Sequence, residues 1–287
     1  MAVTNPILGC DTHVHVFGPP AAYPMLPDRH YTSPPAPVAD LQTHLRRQGL
    51  SRVVLVQASV YGYDNSCLLD GLDQLKGQGR GVVVINEATS HTQLQQMHSR
   101  GARGARINQE SVATRDANRL QAALGPLAAQ VAALGWHIQV FAQLPVVAAC
   151  APLIRQLHQL YGMHVVLDHF ALWRDPSFTE PDALTVLSLL QDGVIYIKLS
   201  GSYRVPLQTS QDFLTVAQRF VATRADRLLW ASDWPHTSRT PGLAPHEVSP
   251  YRDIAPEYLR ADRDAWLPSA ALRQQVLVDN PARLYGF

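Results

Sequence analysis

Residues 136–170 have the sequence WHIQVFAQLPVVAACAPLIRQLHQLYGMHVVLDHF, in which two short apolar runs flank a longer helical segment. The runs at 136–141 and 164–170 are rich in β-branched and aromatic residues, as in buried strands. Between them, residues 145–161 have apolar side chains at helical spacing. Gly162 follows this segment, where a helix C-cap favours a left-handed backbone. The order strand, helix, strand predicts a parallel βαβ unit.

The same alternation extends in both directions along the chain. Further strand-like runs lie at 8–17, 52–57, 81–85, 102–107, 194–199 and 228–233. Further helical segments lie at 38–48, 65–78, 92–100, 117–133, 183–191, 210–223 and 268–277, and several end at Gly49, Gly101, Gly135 or Gly193. Eight such units, with no Gly-rich phosphate loop after the first strand, predict an α/β fold. We therefore expect residues 1–287 to form a single (β/α)8 TIM barrel domain.

Composition and charge exclude several classes of function. The chain has a net charge of +1, which indicates no surface for nucleic acid or an anionic membrane. No apolar run reaches the length of a membrane span, and the N-terminus lacks the features of a signal peptide. Cys10, Cys67 and Cys150 are far apart and odd in number, which argues against structural zinc and disulfides. We expect a cytoplasmic enzyme with a small-molecule partner.

Polar side chains stand at the ends of three of the predicted strands. The first strand contains His13 and His15 at positions i and i+2, so both side chains point to one side. The sixth strand ends at His169 and the eighth at Asp233. Because the carboxyl ends of barrel strands meet at one face, the four side chains should converge there. Such a cluster can bind a metal, or can polarise a carbonyl beside a general base.

Two long polar stretches, 18–37 and 237–268, follow strands and should lie on the same face as lids or binding loops. Strand alternation also predicts that Arg106 faces the barrel interior. A buried guanidinium needs an anion, which could be a substrate carboxylate or a strand acid such as Asp11 or Asp168. Five other histidines lie in helices or loops, where we expect them to be solvated: His44, His91, His98, His158 and His246.

Several motifs together resemble one branch of the amidohydrolase superfamily. The branch includes 2-pyrone-4,6-dicarboxylate lactonase, sulfomuconolactone hydrolase and galactarolactone isomerase. The motifs span the chain: DTHVHVFGP at 11–19, RHYTSPP at 29–35, VLVQASVYGYDN at 54–65, GARGARIN at 101–108, LDHFA at 167–171, KLSGSYR at 198–204, WASDWPH at 230–236 and DNPARLYGF at 279–287. As a set they are specific for the branch and much less specific for a substrate.

The resemblance implies roles for particular residues. His13, His15 and His169 would donate hydrogen bonds to the substrate carbonyl, and Asp233 would activate water. The remaining implied substrate contacts are Tyr31, Ser59, Arg106, Gln139 and Arg204. In the lactonase a second arginine follows the one on strand 4. The matching position here is about Val112, with Arg115 displaced from it, which makes a pyrone dicarboxylate doubtful as the substrate.

Gln139 also bears on the cofactor. It stands where metal-dependent amidohydrolases have a histidine on strand 5, and His137 would lie deeper in the barrel. The dicarboxylate lactonase and the galactarolactone isomerase work without a metal. We therefore expect no required cofactor, with one Zn²⁺ on His13, His15 and Asp233 as the alternative.

The expected reaction is hydrolytic opening of a small carboxylated lactone, an ester hydrolysis on an anionic substrate. The alternatives are lactone isomerisation, a metal-dependent decarboxylation of the same superfamily, and a non-catalytic barrel that binds an acidic metabolite.

Overall fold

The fold is an eight-stranded parallel barrel with its strands in chain order. A computed structural model describes residues 9–110 and 116–287. Each strand pairs in parallel with the next along the chain. The strands are β1 (Cys10–Val14), β2 (Arg52–Val56), β3 (Gly79–Val83), β4 (Ala102–Asn108), β5 (His137–Phe141), β6 (Val165–Leu167), β7 (Ile195–Leu199) and β8 (Leu228–Trp230). The predicted (β/α)8 barrel is confirmed.

The barrel closes through the chain that follows β8 rather than through β8 alone. The Asp233 amide donates to the His13 carbonyl oxygen at 3.0 Å, and the His15 amide donates to the Trp234 carbonyl oxygen at 2.8 Å. Nearer the base, the hydroxyl of Thr12 donates to the Trp230 carbonyl oxygen at 2.9 Å. The first and last strands are therefore joined beside the residues predicted to act in the reaction.

Helices cover the outside of the sheet. They are α1 (Val38–Gln48), α2 (Ser66–Gln74), α3 (His91–Ser99), α4 (Ala117–Val131), α5 (Leu144–Ala149), α6 (Ala151–Tyr161), α7 (Pro181–Asp192), α8 (Ser210–Arg224), α9 (Pro256–Trp266), α10 (Ala270–Gln274) and α11 (Asn280–Tyr285). In the described part of the chain, none of the helices is both long and apolar enough to cross a bilayer.

Three predicted segments differ from the observed helices. The segment at 145–161 is two helices, α5 and α6, that meet at Cys150. The segment at 268–277 continues through a π-helical turn, Gln275–Asp279, into α11. The prediction of a loop at 237–268 is wrong for α9. That helix is mostly polar and buries only Trp266 fully, so few apolar side chains mark it as a helix in the sequence.

Two predicted strands are longer than the observed ones because the chain leaves the sheet before it reaches His169 and Asp233. The run at 164–170 ends as a strand at Leu167, and His169 has φ +47°. The run at 228–233 ends as a strand at Trp230, and Asp233 has φ +62°. Left-handed backbone is uncommon for residues other than glycine, and it concentrates at functional sites. Both side chains are thereby directed away from the strand pattern.

The apolar core has two parts, which leave one end of the barrel polar. A large cluster packs between the sheet and the helices. A smaller one fills the lumen, where Tyr196 and Leu229 pack with Tyr285 of α11. The Arg80 guanidinium donates to the carbonyl oxygens of Tyr285 and Gly286, at 3.2 and 2.6 Å. The C-terminus thus covers the amino end of the barrel, and the carboxyl end remains for the site.

Candidate active site

A cavity of about 560 Å³ opens at the carboxyl ends of the strands. It is lined by His15, His30, Tyr31, Ser59, Arg106, Asn108, Glu110, Phe141, His169, Tyr203, Arg204, Asp233, Thr237, Arg239 and Arg252. A larger neighbouring cavity of about 680 Å³ shares Ser59, Arg106 and Asn108 with it but contains none of the histidines predicted to act and no Asp233. The smaller cavity is therefore the candidate active site.

Asp233 lies at the centre of the four residues predicted to converge. Its Oδ1 is 3.8 Å from Nε2 of His13 and 3.7 Å from Nε2 of His15. The ring centroids of His13 and His169 are 4.9 Å apart. All four residues are buried. The structure therefore brings together side chains from β1 and from the turns after β6 and β8.

The two oxygens of the Asp233 carboxylate have different surroundings. Oδ2 accepts hydrogen bonds from the Tyr203 hydroxyl, at 2.7 Å, and from Nε of Arg204. Oδ1 is buried and has no hydrogen-bond partner among the residues that the structure describes. Burial alone would raise the pKa of Asp233, but the positive charge of Arg204 holds that pKa well below its usual range. Asp233 is therefore ionised, with one oxygen free to accept a proton.

Hydrogen bonds of Nδ1 bear on the tautomers of His13, in β1, and of His15, directly after it. Nδ1 of His15 is 2.8 Å from the Val56 carbonyl oxygen, which can only accept, so Nδ1 carries the ring proton. Nδ1 of His13 is 3.1 Å from Oδ1 of Asp168, which favours the same tautomer, and 3.3 Å from Nζ of Lys198, which can only donate and favours the other one. Burial lowers the pKa of His15 to about 4 and that of His13 well below its usual value, so both rings are neutral near pH 7. Nε2 of His15 therefore accepts hydrogen bonds, which differs from the expectation that it donates, and Nε2 of His13 accepts in the tautomer that Asp168 favours.

His169 is less constrained. Its Nδ1 is 2.9 Å from the Ser200 hydroxyl, which can donate or accept, so Nε2 can carry the proton. Burial lowers the pKa of His169 to about 4. A Cβ at Gly201 would lie 2.6 Å from Nδ1 of His169, so this ring position requires glycine there.

A second layer of charge lies beneath the cavity, centred on Asp168. Its carboxylate pairs with Nη2 of Arg106 and accepts from Nε2 of Gln139, each at 3.1 Å, in addition to His13. Lys198 of β7 has no exposed surface, and its Nζ donates to Oε1 of Gln139 at 2.7 Å. Burial lowers the pKa of Lys198 to about 8, opposed by Asp168. Lys198 was not predicted, although a lysine inside an apolar strand is an unusual signal.

The predicted arginine and glutamine contacts are only partly as expected. Gln139 is fully buried, uses both ends of its amide in the layer below and is absent from the cavity lining, so this placement does not favour direct substrate contact. Arg204, expected as a loop arginine free for substrate, is the partner of Asp233 and also donates to the Thr237 hydroxyl at 2.9 Å. Arg106 lines the cavity, where it can reach a substrate carboxylate, and it also pairs with Asp168. It therefore combines the two alternatives, a substrate anion and an acid of the protein.

His44 is buried, so the expectation that it is solvated is wrong. Its Nε2 is 3.1 Å from the Ser232 hydroxyl and 3.4 Å from Oδ2 of Asp11. Among the other four histidines, His91 and His246 are exposed as expected, and His98 and His158 are half-buried.

The two long loops contribute as predicted to this face. Tyr31 and Ser59 line the cavity. So do Tyr203, Arg239 and Arg252, which the sequence did not single out. Val112 and Arg115 lie outside the described residues.

The donor atoms would fit one metal ion. Among the described residues, ligand atoms of His13, His169 and Asp233 lie within 4.8 Å of one another. Nε2 of His13 and Oδ1 of Asp233 are buried without partners, as ligand atoms would be. Nitrogen and carboxylate donors suit Zn²⁺. The expected ligands were His13, His15 and Asp233, so His169 takes the place of His15 in this set. However, Arg204 already opposes the charge of the one carboxylate, so the set offers no net negative charge to a divalent ion.

Known proteins resemble this chain over nearly its whole length. The sequence model of the amidohydrolase family matches residues 10–287. A 2-pyrone-4,6-dicarboxylate hydrolase of Comamonas testosteroni is 31% identical, with 96% of this chain and 89% of the relative covered. A 4-sulfomuconolactone hydrolase of Hydrogenophaga intermedia is 29% identical (96% and 88% covered). A D-galactarolactone isomerase of Agrobacterium fabrum is 26% identical (96% and 90% covered).

Solved structures share the fold as well. A candidate 2-pyrone-4,6-dicarboxylic acid hydrolase of Pseudomonas putida is 32% identical and superposes with a TM-score of 0.78 over 98% of each chain. The similarity in sequence and the similarity in structure therefore point to the same group of proteins.

Proposed function

Because the chain belongs to the amidohydrolase family, we propose that it is a hydrolase that opens a small carboxylated lactone with water activated by Asp233. The observation that carries the proposal is the free Oδ1 of Asp233, which is buried between the Nε2 atoms of His13 and His15. Two of the relatives are named as hydrolases of a 2-pyrone dicarboxylate and of a sulfomuconolactone. A 2-pyrone ring contains the same cyclic ester as a lactone, which supports this class of substrate for the chain.

Oδ1 of Asp233 and the Nε2 lone pairs of His13 and His15 are acceptors on one side of the reacting water. A water molecule can donate one proton to Oδ1 and the other to an imidazole, which turns its own lone pair towards the lactone carbonyl. As the water oxygen bonds to the carbonyl carbon, Oδ1 takes a proton. When the intermediate collapses, the ring C–O bond breaks, and Asp233 returns the proton to the leaving ring oxygen. General-base help of this kind contributes about 10²–10⁴ in rate.

The developing oxyanion needs hydrogen-bond donors. His169 is the imidazole whose Nε2 can carry a proton in the neutral ring, because Ser200 can donate to its Nδ1. One well-placed donor contributes roughly 3 kcal/mol to such a transition state. Arg204 adds positive charge beside the carboxylate of Asp233.

Other residues hold the substrate in place. We assign Tyr31 and Ser59 to contacts with the lactone ring and its substituents, because both line the cavity. Arg106 binds a carboxylate through the guanidinium edge that Asp168 does not use. Fixing the substrate in this way lowers the entropic cost of the attack.

The proposal requires no metal. Were one Zn²⁺ bound, His13, His169 and Asp233 would hold it, and it would polarise the carbonyl or lower the pKa of water. The pairing of Asp233 with Arg204 favours the metal-free form, because the guanidinium already occupies one side of the carboxylate.

Isomerisation is the second candidate, supported by the similarity to the galactarolactone isomerase. In this reaction a hydroxyl of the substrate takes the place of water beside Asp233. The ester bond is then exchanged within the molecule, and no water is consumed.

The test is turnover of a panel of carboxylated lactones in water labelled with heavy oxygen, with the products identified by mass spectrometry. Hydrolysis places one labelled oxygen in the new carboxylate, whereas isomerisation places none. Asp233→Asn should lower kcat at least about a hundredfold with an unchanged circular dichroism spectrum. The exposed Asp40→Asn is the matched control. Failure of the wild type to open any lactone, or near wild-type turnover by Asp233→Asn, would contradict the proposal.

A further inference from the structure

The arginines of the cavity divide into two kinds. Arg106 pairs with Asp168, and Arg204 pairs with Asp233, so carboxylates of the protein already oppose both charges. Arg239 and Arg252 also line the cavity, and both are exposed. Within residues 9–110 and 116–287, no ion pair joins either of them to a carboxylate. The uncompensated positive charge of the cavity therefore lies with Arg239 and Arg252.

Both residues lie on the chain that follows β8, and this chain is anchored beside the reaction centre. The Arg252 amide donates to the His236 carbonyl oxygen at 2.9 Å. The Cζ atom of Arg252 lies 5.0 Å from the centroid of the Tyr203 ring, and that of Arg204 lies 5.2 Å from the same centroid. The Tyr203 hydroxyl in turn donates to Asp233. A guanidinium without an acidic partner is thus held close to the catalytic carboxylate.

The side of the cavity opening across from Arg239 and Arg252 carries a different charge. In an eight-stranded barrel, β4 lies across from β8. On the β4 side, Arg106 is neutralised by Asp168, and Glu110 lines the cavity with its carboxylate bound to Nε2 of Gln143 at 2.8 Å. The electrostatic potential across the mouth therefore becomes more positive towards Arg239 and Arg252, and an anion is drawn to that side.

We infer that Arg239 and Arg252 form a second anion subsite, which binds an acidic group of the substrate remote from the reacting carbonyl. A carboxylate or a sulfonate fits, because both present oxygen pairs to the fork of a guanidinium. The inference rests on the proposed function, because it states that the preferred substrates are lactones with two acidic groups. Because both side chains are exposed, the attraction is modest and falls with added salt.

The first experiment compares a pyrone dicarboxylate with the corresponding pyrone monocarboxylate. Arg239→Met and Arg252→Met should each raise KM for the diacid about tenfold, which corresponds to about 1.4 kcal/mol, and leave kcat within about twofold. KM for the monoacid should change less than about twofold. Arg252→Lys keeps the charge and should retain most of the binding. Arg46→Met, an exposed arginine of α1, is the control.

The second experiment measures binding without turnover, by calorimetric titration with isophthalate, 3-sulfobenzoate and benzoate. We expect the two dianions to bind the wild type more tightly than benzoate, and the preference to shrink in both methionine variants and at high salt. Absence of lactone turnover with an intact dianion preference would count against the proposed function and leave the subsite standing. Equal losses for dianions and monoanions, or no loss in either variant, would overturn the subsite.

Discussion

Nε2 of His44, on α1, lies 3.1 Å from the hydroxyl of Ser232, the residue immediately before Asp233. The same hydroxyl accepts from the Trp234 amide at 3.0 Å, and the Ser232 amide donates to Oδ1 of Asp11 at 3.0 Å. His44 and Asp11 together therefore hold both sides of the turn that carries the Asp233 carboxylate. A helix outside the barrel is thereby connected to this turn by a hydrogen bond and by the packing of the His44 ring against Trp234.

His44 is thus expected to act as a positioning residue. His44→Phe keeps an aromatic ring but removes the bond to Ser232, so Asp233 loses orientation. We expect kcat to fall about tenfold, which corresponds to the net free energy of about one hydrogen bond. KM should stay within about twofold. His44→Gln, which can still bond to Ser232, should recover part of the loss. Steady-state kinetics and thermal melts of both variants, beside His91→Phe on the surface, provide the measurement. A parallel change in KM, kcat and Tm would instead indicate a purely structural residue.

Arg106 is expected to stabilise the fold as well as bind substrate. Arg106→Met leaves Asp168 buried with one cation fewer, and breaking a buried pair costs roughly 3 kcal/mol or more. We expect a lower Tm together with a raised KM for carboxylated lactones. Chemical denaturation measures the first effect, and kinetics with one charged and one neutral lactone measure the second. A normal melting curve would show that the Asp168 pair contributes little, and an unchanged KM would remove Arg106 from the substrate site.

Activity should survive removal of metal ions. The purified enzyme is dialysed against a chelator, its metal content is measured by elemental analysis, and turnover is compared before and after. We expect less than one zinc for every ten chains and an unchanged kcat, because Arg204 already opposes the charge of Asp233. About one zinc per chain, with activity lost on removal and restored on return, would establish the metal form held by His13, His169 and Asp233.

The free energy of unfolding should fall in mild acid, because the pKa of His137 is lower in the folded state than in the unfolded state. Burial lowers the pKa of His137 to about 3, from an ordinary value of 6.5. Above pH 6.5 neither the folded nor the unfolded state binds this proton. As the pH falls below 6.5 only the unfolded state binds it, so up to about 1.4 kcal/mol is lost per pH unit until the folded value is reached.

His137→Phe tests this attribution, because it keeps a ring against Tyr285 without a titrating group. Denaturant titrations at pH 8 and pH 5 should show a smaller difference in unfolding free energy for the variant than for the wild type. His91→Phe, at an exposed position, should leave the difference as it is. An undiminished difference in His137→Phe would assign the acid sensitivity to other groups.

The sequence was sufficient for the order of the strands and for the convergence of His13, His15, His169 and Asp233. Both follow from local rules: apolar periodicity marks the strands, and parallel strands in a barrel bring their carboxyl ends to one face.

Partners in the folded barrel could not be predicted in the same way. His44 and Ser232 are 188 residues apart, and nothing local to either indicates the other. The pairing of Arg204 with Asp233 joins two different strand ends, so the sequence shows two charges and not which of them are neutralised. Lys198 has a buried position that strand alternation suggests, but its partners Gln139 and Asp168 come from other strands.

The backbone bond between the Asp233 amide and the His13 carbonyl oxygen has a bearing on how the enzyme is made. His13 leaves the ribosome long before Asp233, so the nascent chain carries only part of this site until the segment after β8 has been made. Closing so long a loop is the slow kind of contact in folding. Activity therefore requires that the first strand pairs with the chain after β8. Local opening between these two segments would abolish activity while the other strands of the barrel remain folded.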